Sequence, residues 1–327
     1  MVTAKYAPSP APTGQGAALG WLKCLSLAAV LAAFLLVVLG GIVRVTGSGL
    51  GCPDWPLCHG RLVPPLEFTA IIEYTHRFTA SVLVSPLVLA AAALVWVRFR
   101  TNARLLLLAS LSVVLLLGQA ALGGVTVLQE LPPAIVAAHL ALAQAFMACL
   151  VLLAVAAFRY GEVPQGEAVG GDSFPRLAVM AVVALYVLLL SGAFVTASGA
   201  TAACLSWPMC RGLALTNGPL SHIHMLHREA ALIVGLFLFY VYHLAFRGRQ
   251  RPPSVRRLGM AAAAAFVAQV LVGALTVLTG FPIAMMALHL AAASAVWVVT
   301  VAMTGFSFPV RMRAAIQRPS AGSSAHA

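Results

Sequence analysis

Four histidines stand inside long apolar runs of this chain, His76 and His139 in its first half and His227 and His289 in its second. An ionisable ring in hydrocarbon is costly, usually faces a bundle interior, and marks a site where something is bound or moved. A single histidine of this kind could simply bond a neighbouring carbonyl, but four repeated in register point to a shared task. Imidazole nitrogen binds heme iron along its axis, and two histidines on facing helices can clamp a porphyrin between them. One pair per half gives two heme sites. Zinc fits less well, because its tetrahedral sites gather three or four His, Cys or acidic ligands, and each half here offers an opposed pair.

Each pair has charged company. Arg77 and Arg228 directly follow His76 and His227. A guanidinium there can pair with heme propionates or snorkel to anchor a helix end, and both readings stay open. Glu73 lies three residues before His76 in EYTHR, on the same helix face and one turn nearer the end. Its counterpart in the second half, within HMLHR, is His224. Near a porphyrin edge a carboxylate can take a proton or stabilise a cation formed as a ring substituent is oxidised. The plainer alternative is a boundary-layer glutamate facing water.

Two short loops, CPDWPLC at Cys52–Cys58 and CLSWPMC at Cys204–Cys210, each hold two cysteines with five residues between them and prolines that help the chain turn. On the oxidising side of a membrane disulfides persist, so Cys52 with Cys58 and Cys204 with Cys210 are the expected pairs. A structural staple is the default reading and a labile redox bridge the alternative. Cys24 and Cys149 fall within helices and read as packing residues. Gln119 and Gln269 recur in the third and seventh apolar runs as candidates for interhelical hydrogen bonds.

What positions these groups must be a membrane. Of 327 residues 61% are hydrophobic and 9% charged, too little polar surface to coat a water-soluble globule. A spanning helix needs roughly 20 apolar residues, and eight runs qualify, at about 21–43, 72–97, 105–128, 134–157, 176–197, 222–246, 258–279 and 282–304. The net charge of +12 would suggest nucleic acid as the partner of a soluble protein. Here the arginines cluster in short loops after the second run (Arg98, Arg100, Arg104) and the sixth (Arg247, Arg249, Arg251, Arg256, Arg257), and in the tail (Arg311, Arg313, Arg318). That is a topology signal, and no nucleic acid is expected. Both termini should be cytoplasmic, with the cysteine loops and heme sites toward the outer side. The first run reads as a retained anchor, and the absence of an arginine-rich amphipathic leader favours the bacterial plasma membrane.

Internal similarity organises the runs. VTGSG from Val45 recurs as VTASG from Val195, the cysteine loop recurs, and His76-Arg77 recurs as His227-Arg228. GQAALGGVTVL ahead of His139 recurs as AQVLVGALTVL ahead of His289, and all these offsets lie near 150 residues. Four helices per half is an even number, so both halves enter the membrane in the same orientation. The expected fold is an all-α membrane protein whose eight transmembrane helices form two pseudo-twofold-related four-helix bundles. In residues, 1–20 is read as a disordered cytoplasmic N-terminus, 21–157 as the N-terminal bundle, 158–175 as a cytoplasmic linker, 176–305 as the C-terminal bundle and 306–327 as a cytoplasmic tail, disordered from Pro319.

Taken together these residues resemble the heme A synthase family, from about Trp21 to Gly305. The resemblance rests on GGIVRVTGSGLGCPDWPLCHG at 40–60, EYTHR at 73–77, the GGVTVL stretch before His139 and the corresponding second-half motifs. It implies an eight-helix membrane enzyme that oxidises a porphyrin methyl group of heme O to the formyl group of heme A, for use by terminal heme-copper oxidases. It also implies that His76 and His139 hold the substrate heme O in the N-terminal bundle, that Glu73 takes part in the oxidation, that His227 and His289 ligate a resident heme b, and that Cys52 and Cys58 form a disulfide. Relatives do not all carry both cysteine pairs, so the role of Cys204 and Cys210 stays open. A heme O synthase as delivering partner follows from the same resemblance. The electron-transfer partner is not identified by the sequence, the lipid bilayer is the solvent, and a homo-oligomer is compatible with it. Two rivals stand beside this reading: a di-heme cytochrome that only transfers electrons, against which Glu73 weighs, and a transporter, suggested by duplicated bundles with intramembrane polar groups.

Overall fold

A computed structural model describes residues 15–162, 173–210, 218–248 and 250–309. Eight helices in it are long and apolar enough to cross a membrane: α1 Gln15–Val45, α2 Phe68–Arg98, α3 Ala103–Leu128, α4 Pro133–Phe158, α5 Phe174–Ala197, α6 Pro219–Arg247, α7 Pro253–Leu278 and α8 Ile283–Ser307. Every expected run is a helix, and most begin earlier than hydropathy alone suggests. First-turn residues carry no apolar signal but favour helix starts: prolines open α4, α6 and α7, where a missing N–H leaves no helical bond unmade. Asn102 caps α3 by accepting from the Leu105 N–H at 3.0 Å. The outward faces are apolar, with Leu31, Leu35, Leu111, Leu117, Leu232 and Leu236 exposed, as suits a multi-pass membrane protein surrounded by lipid.

One expectation is corrected at the N-terminus. Residues 15–20, read as part of a disordered stretch, form the start of α1. Ala18 and Leu22 pack with Phe99, Leu105 and Leu153, and the Gln15 amide donates to the Tyr160 hydroxyl at 3.3 Å, so tertiary contacts hold a segment that its composition would leave loose. The rest of that stretch, most of the linker and most of the tail lie outside the described residues.

The helices close into two rings. α1 packs on α2, α2 on α3, α3 on α4 and α4 on α1; the same cycle runs through α5, α6, α7 and α8. Among the described residues the backbones of diagonal helices, α2 and α4 or α6 and α8, stay apart, and α6 reaches α8 through a side chain, with Tyr242 OH 2.6 Å from Thr300 Oγ1. Between rings the contacts are α4 with α8, α1 with α8, and α4 with α5. α4 is central, with 61% of its most apolar stretch buried against 22–33% for the other seven. At the α4–α8 seam the Gln144 amide donates to Ser294 Oγ at 3.0 Å, joining two residues at matched positions of the repeat. Two apolar cavities of about 280 and 290 Å³ flank this seam. Val151, Ala154 and Val155 line one, and their matched residues Val301, Thr304 and Gly305 line the other.

The structure also corrects the register of the repeat. Gly47 and Gly199 both have positive φ, 66° and 75°, a region open to glycine with little strain. The turns that follow α1 and α5 superpose in hydrogen bonding, with Ser48 N–H donating to Val43 O at 2.8 Å and Ala200 N–H to Val195 O at 2.9 Å. The two halves therefore correspond at an offset of 152 here, and the VTGSG to VTASG match at 150 is two residues out of register. The offset falls to 151 at His76 and His227 and to 150 at His139 and His289. Within α2, residues Thr79–Val84 widen into a π-helical turn, which accommodates one residue more than an α-helical path. Pro86, which cannot donate within the helix, follows directly.

Candidate functional site

His76 and His227 each lie eight residues beyond the first residue of α2 and α6, and His139 and His289 six beyond the first of α4 and α8. At about 1.5 Å per residue all four sit roughly 9–12 Å from the helix ends that face the cysteine loops. The ring cycle puts α2 diagonal to α4, and α6 diagonal to α8, so each pair meets across the interior of its own bundle. All four side chains are half-buried, whereas the tight core lies toward the other end of the helices, around Met147, Leu150, Leu238 and Met303.

Each ring lies against a glycine on a neighbouring helix. A Cβ at Gly40 would stand 3.1 Å from His76 Nε2, and at Gly123 3.3 Å from His139 Cε1. In the second half a Cβ at Gly192 would stand 3.1 Å from His227 Cε1, and at Gly273 2.8 Å from His289 Cε1. Four glycines thus cradle four imidazoles. The Nδ1 atoms of His139 and His289 are buried with no hydrogen-bond partner, at matched positions. Buried polar nitrogen without a partner is uncommon and suits rings whose partner is a bound group. Among the described residues no three of His, Cys, Asp or Glu gather as a metal cluster. Nitrogen donors arrive two per bundle, the number an axially ligated porphyrin iron takes.

Above each pair stands a disulfide-closed loop, Cys52–Cys58 or Cys204–Cys210, held by the arginine that follows the histidine. Arg77 donates from Nη1 to Asp54 O at 2.7 Å and Leu57 O at 2.8 Å, and from Nη2 to Cys52 O at 2.6 Å and to the Glu73 carboxylate. Glu73 in turn accepts from the Cys52 N–H at 2.8 Å. It is 3% exposed, so it does not face water as a boundary-layer residue would. Within the loop the Gly60 and His59 amides donate to Asp54 at 2.6 Å each. The Gly60 amide first, with His59 adding to it, holds the Asp54 carboxyl below the usual carboxylate range.

The second half repeats the clamp without the carboxylate. Arg228 donates to Ser206 O at 2.6 Å, Pro208 O at 3.1 Å and Cys204 O at 3.2 Å. Its remaining bond, at 3.2 Å, goes to His224 Nε2. A guanidinium only donates, so His224 accepts there and donates from Nδ1 to Ala200 O at 3.1 Å. The buried ion pair of the first half has become a neutral ring in the second.

Sequence reasoning missed several of these contacts. Gly123 and Gly273 recur inside a quoted motif and could have been found from it; Gly40 and Gly192 recur only at the corrected offset of 152. Gln119 donates to His139 O at 3.1 Å, and Gln269 Nε2 lies 3.4 Å from His289 Nε2, so both are the interhelical groups expected. Ser191, whose Oγ lies 2.7 Å from His227 Nδ1, drew no attention because a lone serine in an apolar run carries no signal of its own. Cys149 is buried as a packing residue, but Cys24 is exposed on α1, since that face of the helix meets no neighbour.

The sequence profile of the family described as Cytochrome oxidase assembly protein matches residues 23–301. The chain is similar to a heme A synthase of Bacillus licheniformis, 32% identical over 236 residues that make up 70% of this chain and 76% of that one. It is equally similar to heme A synthases of Bacillus cereus and Bacillus anthracis, 32% identical over 267 residues, 78% of this chain and 83% of theirs. With the match running through all eight helices, the chain belongs to the cytochrome oxidase assembly protein family and is a relative of heme A synthases.

Proposed function

We propose that this protein oxidises a methyl substituent of heme O to the formyl group of heme A, as an oxidoreductase of the plasma membrane. On this reading the bundle of residues 21–157 takes the substrate between His76 and His139, and the bundle of residues 176–305 keeps heme b between His227 and His289. The observation that carries it is the duplicated cradle, in which opposed imidazoles lie on glycines across helices whose backbones stay apart, with a buried carboxylate beside only one pair. Heme b, when bound, supplies an electron relay. With water as the oxygen donor, each of two stages replaces a C–H bond of the methyl carbon by a C–OH bond and releases two protons and two electrons, the electrons leaving to the electron-transfer partner; the second stage gives the hydrate, which loses water to leave the aldehyde. Glu73 accepts the proton released near the porphyrin edge, and Arg77 beside it stabilises its anionic form.

For Arg77 and Arg228 the bonds to loop carbonyls favour loop clamping over the propionate pairing that their position also allows. The matched Gln144–Ser294 contact and the matched cavities support a pseudo-twofold axis along the membrane normal, since residues that meet their own repeat partners lie on such an axis. The arginine-rich loops support cytoplasmic termini and outward cysteine loops. A heme O synthase that delivers substrate and an electron-transfer partner complete the scheme, with the apolar tail of heme O lying among lipid and helices.

The test is conversion of heme O to heme A by the purified protein, followed by pigment extraction and mass analysis. Wild type should yield heme A; Glu73→Gln should retain heme yet yield none. A protein that binds two hemes and never converts heme O, or a Glu73→Gln variant that converts at the wild-type rate, overturns the proposal and favours a purely electron-transferring cytochrome.

A further inference from the structure

The two bundles present the same pair of imidazoles, yet on the reading above one keeps its heme while the other must let its product go. At the Nδ1 atoms their hydrogen bonds differ at one ring. Ser191 Oγ lies 2.7 Å from Leu188 O and 2.7 Å from His227 Nδ1. A serine hydroxyl has one proton and a carbonyl can only accept, so that proton goes to Leu188 O and the serine oxygen accepts from His227 Nδ1–H. His227 is thereby held as a single tautomer, with a bare Nε2 lone pair.

The other rings have no such acceptor. His139 Nδ1 and His289 Nδ1 lack any partner, and among the described residues no hydrogen bond is made to a ring nitrogen of His76. At the offset of 152 that matches Gly40 to Gly192, the place of Ser191 is taken in the first half by Leu39, whose side chain has nothing to accept with. This difference lies in the sequence of α1 and α5, where both halves keep the glycine that follows.

We propose that Ser191 is a positioning residue that makes the second bundle the retaining heme site. It fixes the tautomer and plane of His227 in advance, so no ordering of that ring opposes ligation, and by accepting from Nδ1–H it strengthens the donor power of Nε2. The first bundle, with leucine at that place, holds its porphyrin through rings that are not fixed, which permits exchange. This rests on the assignment of heme b to His227 and His289.

The experiment compares purified wild type, Ser191→Ala, Ser191→Thr and His227→Ala for helix content, heme remaining after challenge with a heme scavenger, and midpoint potential of the retained heme. Ser191→Ala should keep its helix content and lose heme to the scavenger about 10–100-fold more readily, the range seen when a hydrogen-bond partner of a metal-bound ligand is removed. Heme that remains should have a higher midpoint potential, because a weaker imidazole donor stabilises the ferric state less. Ser191→Thr restores the hydroxyl and should return both readouts toward wild type. If His227→Ala keeps its heme in full, the ligand assignment above fails. If His227→Ala is stripped while Ser191→Ala matches wild type in retention and potential, or Ser191→Thr restores neither, the role of Ser191 alone is overturned.

Discussion

Gly273→Ala adds one carbon to α7 at the point where it faces His289. That carbon would stand 2.8 Å from Cε1, 3.3 Å from Nδ1 and 3.8 Å from Nε2 of the ring. Carbon atoms rest at about 3.5–4.0 Å, so the imidazole must retreat by roughly 0.7 Å or more. Overpacking of this kind costs about 1–3 kcal/mol. At about 1.4 kcal/mol per tenfold, that is a loss of roughly 5- to 140-fold in affinity for a heme held by His289. The same substitution in a helix interior gains roughly 0.8–1 kcal/mol of helix propensity. Without heme the imidazole is free to turn away from the added methyl, so the heme-free protein keeps the propensity gain and should melt no lower than wild type while its heme is lost more easily, a combination that general misfolding does not produce. The assay is heme content per chain against a scavenger, with thermal melting of the helical signal alongside. Gly123→Ala, where the clearance to His139 is 3.3 Å, needs a retreat of only roughly 0.2 Å and acts in the other bundle, so resident heme should be unaffected. Wild-type heme retention in Gly273→Ala would refute the idea that the glycine exists to admit the ring.

Replacing the clamp arginines by lysine keeps the charge and removes the fork. Arg77→Lys should loosen the loop of residues 46–67, since each charged hydrogen bond forgone is worth about 1.5–3 kcal/mol and an ammonium cannot span the Cys52, Asp54 and Leu57 carbonyls together. Arg228→Lys should act in the same direction but less, because two of its loop bonds are already at 3.1 and 3.2 Å; amide exchange in the two loops measures both, and a larger effect at Arg228 would contradict the reasoning. Asp54 makes the first loop acid-sensitive. Its folded pKa is depressed by the Gly60 and His59 amides, so its contribution to loop order is complete above the ordinary value of about 3.9 and is lost as pH falls through the depressed one. Exchange at Gly60 should rise on acidification in wild type and show no such step in Asp54→Asn.

The eight spans were legible because lipid leaves the chain one solution per crossing, a helix about 20 residues long, and the paired histidines were legible because charge is rare in such runs. What stayed hidden has a common physical character. The glycine cradle depends on which residue lies under a ring on a different helix, and two of its four members were masked by a motif match two residues out of register. Hydropathy is blind to that error, because Leu39 and Ser191 lie in equally apolar surroundings. Arg77 and Arg228 were seen beside their histidines, but their direction along the helix axis was not. The start of α1 was missed for a related reason: Ala18 is ordered by Phe99 and Leu105, residues some eighty positions away.

Three asymmetries beside the histidines are confined to a small region, and on the proposed reading that confinement bears on how two matched bundles differ in use. The glycines, the clamp arginines, the disulfide loops and the depth of the histidines are common to both halves; on the proposed reading these set where a porphyrin fits. Glu73 against His224, Leu39 against Ser191 and the wide turn in α2 are not shared, and all lie on the two helices that meet at His76 or His227. A change deeper in the bundle would disturb the α4–α8 seam, where Gln144 bonds Ser294 and Trp297 donates to Gln144 O at 2.8 Å, and so would alter both sites at once. Divergence near the loop end changes one bundle and leaves its partner intact. A duplicated framework can thus carry one site that reacts and another that serves it without any change in the packing that joins them.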